Sequence, residues 1–355
     1  MAPTASIQSF RPPVEGSEQP SWVALSPDES QLAFTLRRAR PAPEPPTTTG
    51  AVAPPSPADL AGHTYDLYVA PVGGGDRRRL VEGEDRLIER PRWSPTGEHL
   101  AWVNGSNLPH GGGDTIGLCR SDAPSEATRI PGRAFAWMPS GRTLIVANGA
   151  DRVLLEMTPA GEIRRELGIL PHDEDPHFPP SIAVSEDGER IAYSVRLVGD
   201  DVSQVWVVDG RNHRRADILT EIPGTAAHVF PFWSPGADDL GIYMVHLSEE
   251  MSAIVTVEGL EGDGEIAYES ILLDAPTEPV WLSKRHVLLL RAPRAKNRHA
   301  NTGPTALSVV ALDGSAVTEL AEPGALQGRL RRGATEGTAF VDGPGAAHRI
   351  VVEGI

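Results

Sequence analysis

The sequence predicts an all-β fold, a β-propeller, and three observations predict it. One short pattern recurs seven times, its copies beyond the second are spaced 44 to 49 residues apart, and each copy divides into four segments of strand length. The clearest copies read Trp93-Ser94-Pro95-Thr96-Gly97 followed by Leu100-Ala101-Trp102, and Trp137-Met138-Pro139-Ser140-Gly141 followed by Leu144-Ile145-Val146. Small, turn-forming residues flanked by apolar, β-favouring ones are what a tight connection between two strands requires. Anchored on the residue before the proline or its equivalent, the copies fall at Ser26, Ser94, Met138, Ser185, Ser234, Ser283 and Arg332. Such a period, with several short strands in each repeat, predicts seven blades of four antiparallel strands, with six blades and a degenerate tail as the alternative.

The fourth copy gives the cleanest division. Strands are predicted over 181–184, 190–195, 203–208 and 216–219, joined by Glu186-Asp187-Gly188, by 196–202 and by Asp209-Gly210-Arg211-Asn212. Second strands are expected at 31–35, 100–103 and 286–290, and third strands at 67–70 and 307–311. The seventh copy offers strands near 328–331, 338–341 and 349–352 but no fourth. Ser6-Ile7-Gln8-Ser9-Phe10 precedes the first blade and is expected to complete the seventh, which removes an unpaired sheet edge. The tract 41–61, with Pro54-Pro55-Ser56-Pro57, falls between the second and third strands of blade one and reads as a mobile loop outside the core. The whole of 1–355 is expected to form a single propeller domain.

Composition narrows the partners. A net charge of −16 argues against general affinity for nucleic acid or an anionic membrane, since attraction to phosphates needs clustered Lys and Arg. The lone Cys119 precludes an internal disulfide and a paired-cysteine zinc motif, and its place in Ile116-Gly117-Leu118-Cys119 predicts a buried thiol in a strand. Met1 to Pro20 lacks a basic start and an apolar run, and no segment has the ~18 apolar residues of a membrane span, so a cytoplasmic protein is expected.

Arg92-Trp93-Ser94-Pro95-Thr96-Gly97 with Leu100-Ala101-Trp102, preceded by Asp66-Leu67-Tyr68-Val69, Gly73-Gly74-Gly75 and Arg79-Leu80, resembles the repeats of TolB-type propellers. It is equally similar to the propeller that precedes the hydrolase domain of prolyl oligopeptidase and acylaminoacyl peptidase enzymes. The resemblance spans the chain but stays at the level of the repeat, and a repeat specifies fold. Those enzymes carry a Gly-x-Ser-x-Gly nucleophile elbow, and no such pentapeptide occurs in this sequence. Gly73-Gly74-Gly75 and Gly111-Gly112-Gly113 lack the following helix that a phosphate loop needs.

In a four-stranded blade the second connection and the link to the next blade share one rim. Eight of the eleven histidines are predicted on that rim or its edge, among them His110, His172, His177, His228 and His246. The densest segment is His172-Asp173-Glu174-Asp175-Pro176-His177-Phe178-Pro179, and the next equivalent link carries His228. Imidazole beside carboxylates such as Asp173 and Asp175 suits one divalent metal ion or a general base oriented by an acid, with His177 and His228 the candidate metal pair. The same residues also serve as solvated or turn-capping groups, since their spacing matches no defined metal motif. A basic loop on that rim, with Arg294, Lys296 and Arg298, offers a docking point for an acidic group. Trp93, Trp137 and Trp233, next to their anchors, are expected to pack between blades.

Three functions remain open. The first is a binding or scaffold propeller that recognises a protein, a peptide or a small acidic ligand on the rim around the central channel. The second is a metal-assisted lyase or hydrolase using rim histidines in the channel, and the third is a propeller partner of a separately encoded hydrolase. No complete catalytic motif is present.

Overall fold

The repeated turn is closed by the same few hydrogen bonds from blade to blade. Ser26, Ser94, Ser185 and Ser234 each accept on Oγ from the amide five residues on, at 2.9 to 3.1 Å, while their own amides donate to the carbonyl of that residue. The fourth residue of the turn donates back to the anchor carbonyl from the left-handed region, where Gly97, Gly141 and Gly188 stand without penalty. Blade one places Glu29 there, at φ 60°.

These turns punctuate a ring of seven four-stranded antiparallel sheets. The computed structural model describes residues 3–16, 18–39, 63–84, 87–105, 115–122, 127–148, 151–171, 180–197, 202–209, 217–223, 226–236, 239–246, 251–258, 265–270, 278–291, 306–313, 316–321, 326 and 328–355. Strand β1 (Thr4–Phe10) comes first in the chain, and blade one follows as β2 (Pro20–Leu25), β3 (Gln31–Ala39), β4 (His63–Pro71) and β5 (Arg78–Glu84). Blade two is β6 (Leu87–Trp93), β7 (His99–Gly105), β8 (Thr115–Arg120) and β9 (Thr128–Pro131). Blade three is β10 (Ala134–Trp137), β11 (Leu144–Asn148), β12 (Val153–Met157) and β13 (Ile163–Ile169). Blade four is β14 (Ser181–Val184), β15 (Arg190–Arg196), β16 (Val202–Asp209) and β17 (Asp217–Pro223). Blade five is β18 (Ala226–Trp233), β19 (Asp239–His246), β20 (Met251–Glu258) and β21 (Glu265–Ser270). Blade six is β22 (Val280–Ser283), β23 (His286–Arg291), β24 (Ala306–Ala311) and β25 (Val317–Ala321). Blade seven is β26 (Arg329–Arg332), β27 (Thr338–Asp342) and β28 (Ala347–Glu353), with β1 as its outer strand.

The predicted closure is therefore observed. Thr4 lies opposite Glu353 and Phe10 opposite Ala347, in an unbroken antiparallel register. A second stitch crosses the same seam, where Val23 and Gly343 exchange both backbone hydrogen bonds at 2.8 and 3.0 Å. Seven blades, not six, complete the ring. The insertion at 41–61 lies outside the described residues, bracketed by the ends of β3 and β4.

The core sits between neighbouring blades. Leu67, Val69 and Ala33 of blade one pack with Leu100, Trp102 and Cys119 of blade two, and equivalent clusters fill the other junctions. Cys119 is the buried thiol its sequence context predicts, and burial pushes it up to about 12. Trp93, Trp137 and Trp233 pack as expected and also donate their indole N–H to the preceding blade, to the carbonyls of Ala24, Arg92 and Ala183. No helix among the described residues is long and apolar enough to cross a membrane.

Candidate functional site

The innermost strands β2, β6, β10, β14, β18, β22 and β26 surround a channel of about 620 Å³. A cavity of that size lies within the range of small-ligand sites. Its wall carries Trp22, Trp137, Phe232 and Trp233, and its charge is opposite to that of the molecule. Six arginines, Arg90, Arg92, Arg329, Arg331, Arg332 and Arg349, face three carboxylates, Glu29, Glu278 and Asp342, among the described lining residues.

Most of these arginines are committed to neighbours. Arg329 donates from Nε at 2.7 Å to Glu278 just before β22, and its Nη2 binds the same oxygen. Arg331 donates from Nη2 to the carbonyl of Leu25 at 2.9 Å and lies 3.4 Å from Asp342, whose other oxygen accepts from the Leu25 amide. This network ties blade seven to blade one beside the closing strand. Arg349 Nε lies 3.3 Å from Glu29 in the blade-one turn. Arg332, at the turn end of β26, reaches Glu186 in the first turn of blade four, on the opposite side of the ring. That ion pair spans the channel at its turn end.

Arg92 is placed differently. Its Nη1 donates to the carbonyl of Phe135 at 3.0 Å and its guanidinium lies 4.9 Å from the Phe135 ring centre, but no carboxylate among the described residues pairs with it. Burial, reinforced by the like charge of Arg329, brings its pKa down to about 9, a sign of a cation short of counter-charge. Burial works to raise the Glu278 carboxyl, but the charges of Arg329 and Arg92 outweigh it and hold the group below its usual value. Arg90 is exposed, with its guanidinium 5.7 Å from the Trp22 ring centre.

The sequence-predicted site fares differently. His110, His172, Asp173, Asp175, His177, Arg294, Lys296 and Arg298 lie outside the described residues. His228, expected in a link between blades, lies inside β18, where its backbone faces Val245 just after a register shift that follows Ala226. His246 ends β19 opposite Ala226, so the two histidines occupy neighbouring rungs of one ladder. Among the described residues no group of three or more His, Cys, Asp or Glu side chains is arranged to hold a metal.

The channel arginines were not among the candidates. A signal existed in Arg90-Pro91-Arg92 and Arg329-Leu330-Arg331-Arg332, two basic runs just before an anchor in a chain with 48 acidic and 32 basic residues.

No family model and no curated protein matches the sequence. Solved structures do match. A prolyl endopeptidase is similar over 95% of this chain and 50% of its own, at 12% identity and a TM-score of 0.55. Hydrazine synthase from Kuenenia stuttgartiensis matches over 92% and 94%, at 11% identity and TM-score 0.54, and prolyl oligopeptidase B from Galerina marginata over 91% and 47%, at 11% and 0.53. The likeness is one of fold. The chain spans about half the length of the two peptidases, whose propeller its blades resemble.

Proposed function

We propose that this propeller is a binding module that captures an acidic ligand, a small molecule or a segment of a protein or peptide partner, in its central channel. One observation carries the reading: a molecule of net charge −16 concentrates six arginines against three carboxylates around one cavity. At long range the protein repels anions, so only a ligand that can enter the cavity gains from this local field, and entry filters for size as well as charge. The aromatic wall adds contact area for the ligand's apolar parts. A role without chemistry of its own agrees with the absence of a Gly-x-Ser-x-Gly elbow in the sequence. The buried, unpaired Cys119 suits a reducing cytoplasm.

Fluorescence polarisation tests the reading directly. A labelled oligo-glutamate peptide is expected to bind, with affinity falling as salt rises, while oligo-serine and oligo-lysine peptides of equal length do not. Equal affinity for all three peptides would overturn it.

A further inference from the structure

The strand that supplies Arg90 and Arg92 departs from its ladder where they stand. Glu89 faces Val103 and Arg92 faces Ala101, so Arg90 and Pro91 together oppose the single residue Trp102 in a β-bulge. Arg90 takes a left-handed φ of 47°, the one non-glycine residue among the described strands to do so, and it precedes a proline, which disfavours helical conformations in either hand. Pro91 has no amide to give to the ladder. A local strain of this kind persists where the surrounding structure imposes it, and such sites concentrate where side chains must be aimed. Here it delivers two guanidiniums two residues apart to one cavity.

Resting on the acid-binding reading above, we propose that this bulge builds a carboxylate site, in which Arg90 and Arg92 receive the terminal carboxylate of a ligand whose body fills the rest of the channel. The planar guanidinium fork matches a carboxylate, and Arg92 holds a half-buried positive charge that no described carboxylate pairs. Glu278 keeps a negative charge in the same electrostatic neighbourhood, in reach of Arg92, Arg90 and Arg329. That neighbouring charge penalises a phosphate dianion more than a carboxylate monoanion. The Arg332–Glu186 pair lies across the channel at the turn end of the innermost strands and narrows that exit against an extended chain. A carboxylate that reaches Arg92 therefore sits at the end of its ligand, as in a small organic acid or the C-terminus of a peptide.

The experiment compares the labelled oligo-glutamate peptide as free acid and as C-terminal amide on the full chain, with Arg92→Gln and Arg90→Gln as variants. The free acid is expected to bind at least ~10-fold more tightly than the amide, and Arg92→Gln to weaken the free acid ~30-fold or more while leaving the amide little changed. Arg90→Gln changes an exposed side chain, so it keeps the comparison decisive should the half-buried Arg92→Gln variant fail to fold. It is expected to shrink the difference between acid and amide in the same way. Displacement of the free-acid peptide by succinate supports a small organic acid as the natural source, and resistance to succinate with displacement by unlabelled free-acid peptide supports a chain end. Equal binding of acid and amide overturns the carboxylate site and leaves the acid-binding reading intact. Absence of binding by either form overturns both, and displacement by inorganic phosphate at lower concentration than by succinate overturns the choice of carboxylate.

Discussion

The indole N–H of Trp93 donates to the carbonyl of Ala24 at 3.1 Å, joining the innermost strand of blade two to that of blade one. Trp137, Trp233 and Trp281 repeat the contact onto Arg92, Ala183 and Phe232. Among the described residues the Val23–Gly343 bridge is the one β-bridge between blades, so these indoles give packing between the other sheets a fixed rotation about the ring axis.

Trp93→Phe keeps most of the apolar area but removes the indole donor from the Ala24 carbonyl, which keeps its place opposite Ala33 in the β2–β3 ladder. The change is expected to destabilise the protein by about 0.5–1.5 kcal/mol, read as a lower midpoint in urea with an unchanged slope. A midpoint equal to that of the parent would show that the indole bond carries no weight.

Trp102 and Gly117 are direct partners across β7 and β8, and the fully buried Trp102 ring lies where a Cβ on Gly117 would stand. Phe232 and Gly241 repeat the arrangement in blade five. Gly117→Ala is expected to cost about 3 kcal/mol through overpacking, whereas Gly73→Ala, with open space around it, should be near neutral. Thermal melting of the two variants side by side checks this, and a parent-like Gly117→Ala would refute it.

Removal of β1 should open blade seven. Deleting residues 1–12 takes away the outer strand opposite β28 and the buried Phe10 ring, which packs with Val23, Phe34 and Phe340. The melting temperature is expected to fall and the freed edge of β28 to promote association, seen as a concentration-dependent size in light scattering. Phe10→Ala alone should show the loss of stability without the association.

The arrangement of blades was legible because its signal is local. Ser94-Pro95-Thr96-Gly97 and its copies each encode a turn within a few residues, and the closing strand followed from counting them. The channel was less legible, since its wall is assembled from one to four residues of each innermost strand, drawn from far along the chain. Arg92 and Glu278 become neighbours only when the ring closes. Composition points to histidine-rich links, and His228, expected in one of them, belongs to β18 instead.

Stability should also depend on pH through two histidines. Burial lowers the pKa of His99, partly opposed by Glu98, and burial together with Arg11 lowers that of His348, which lies 2.9 Å from Ser9 Oγ in the closing strand. The unfolded chain then binds protons more readily than the folded one just below the ordinary value of 6.5. Stability is expected to be constant above pH 7.5, to fall as pH drops through 6.5, and to level off below the folded values. The carboxylates of Glu18 and Asp28, held below their usual range mainly by hydrogen bonds from Arg77 and Ser26, respond only at lower pH. Melting temperatures of the parent and of His348→Gln between pH 8 and pH 5 check the assignment, and an unchanged slope in the variant would remove His348 from it.

The pairing of Thr4 with Glu353 has a consequence for how the molecule is made. A ribosome releases β1 first and β28 last, so the earliest strand must wait, unpartnered, through the synthesis of every other blade. Its polar face suits that wait, with Ser6, Gln8 and Ser9 exposed even in the finished ring. Six sheets can assemble in order as they emerge, each from neighbouring sequence, while the seventh requires a contact between strands separated by all six of them. Without β28 six blades can still form but the clasp cannot, so the ring stays open until that strand has been made.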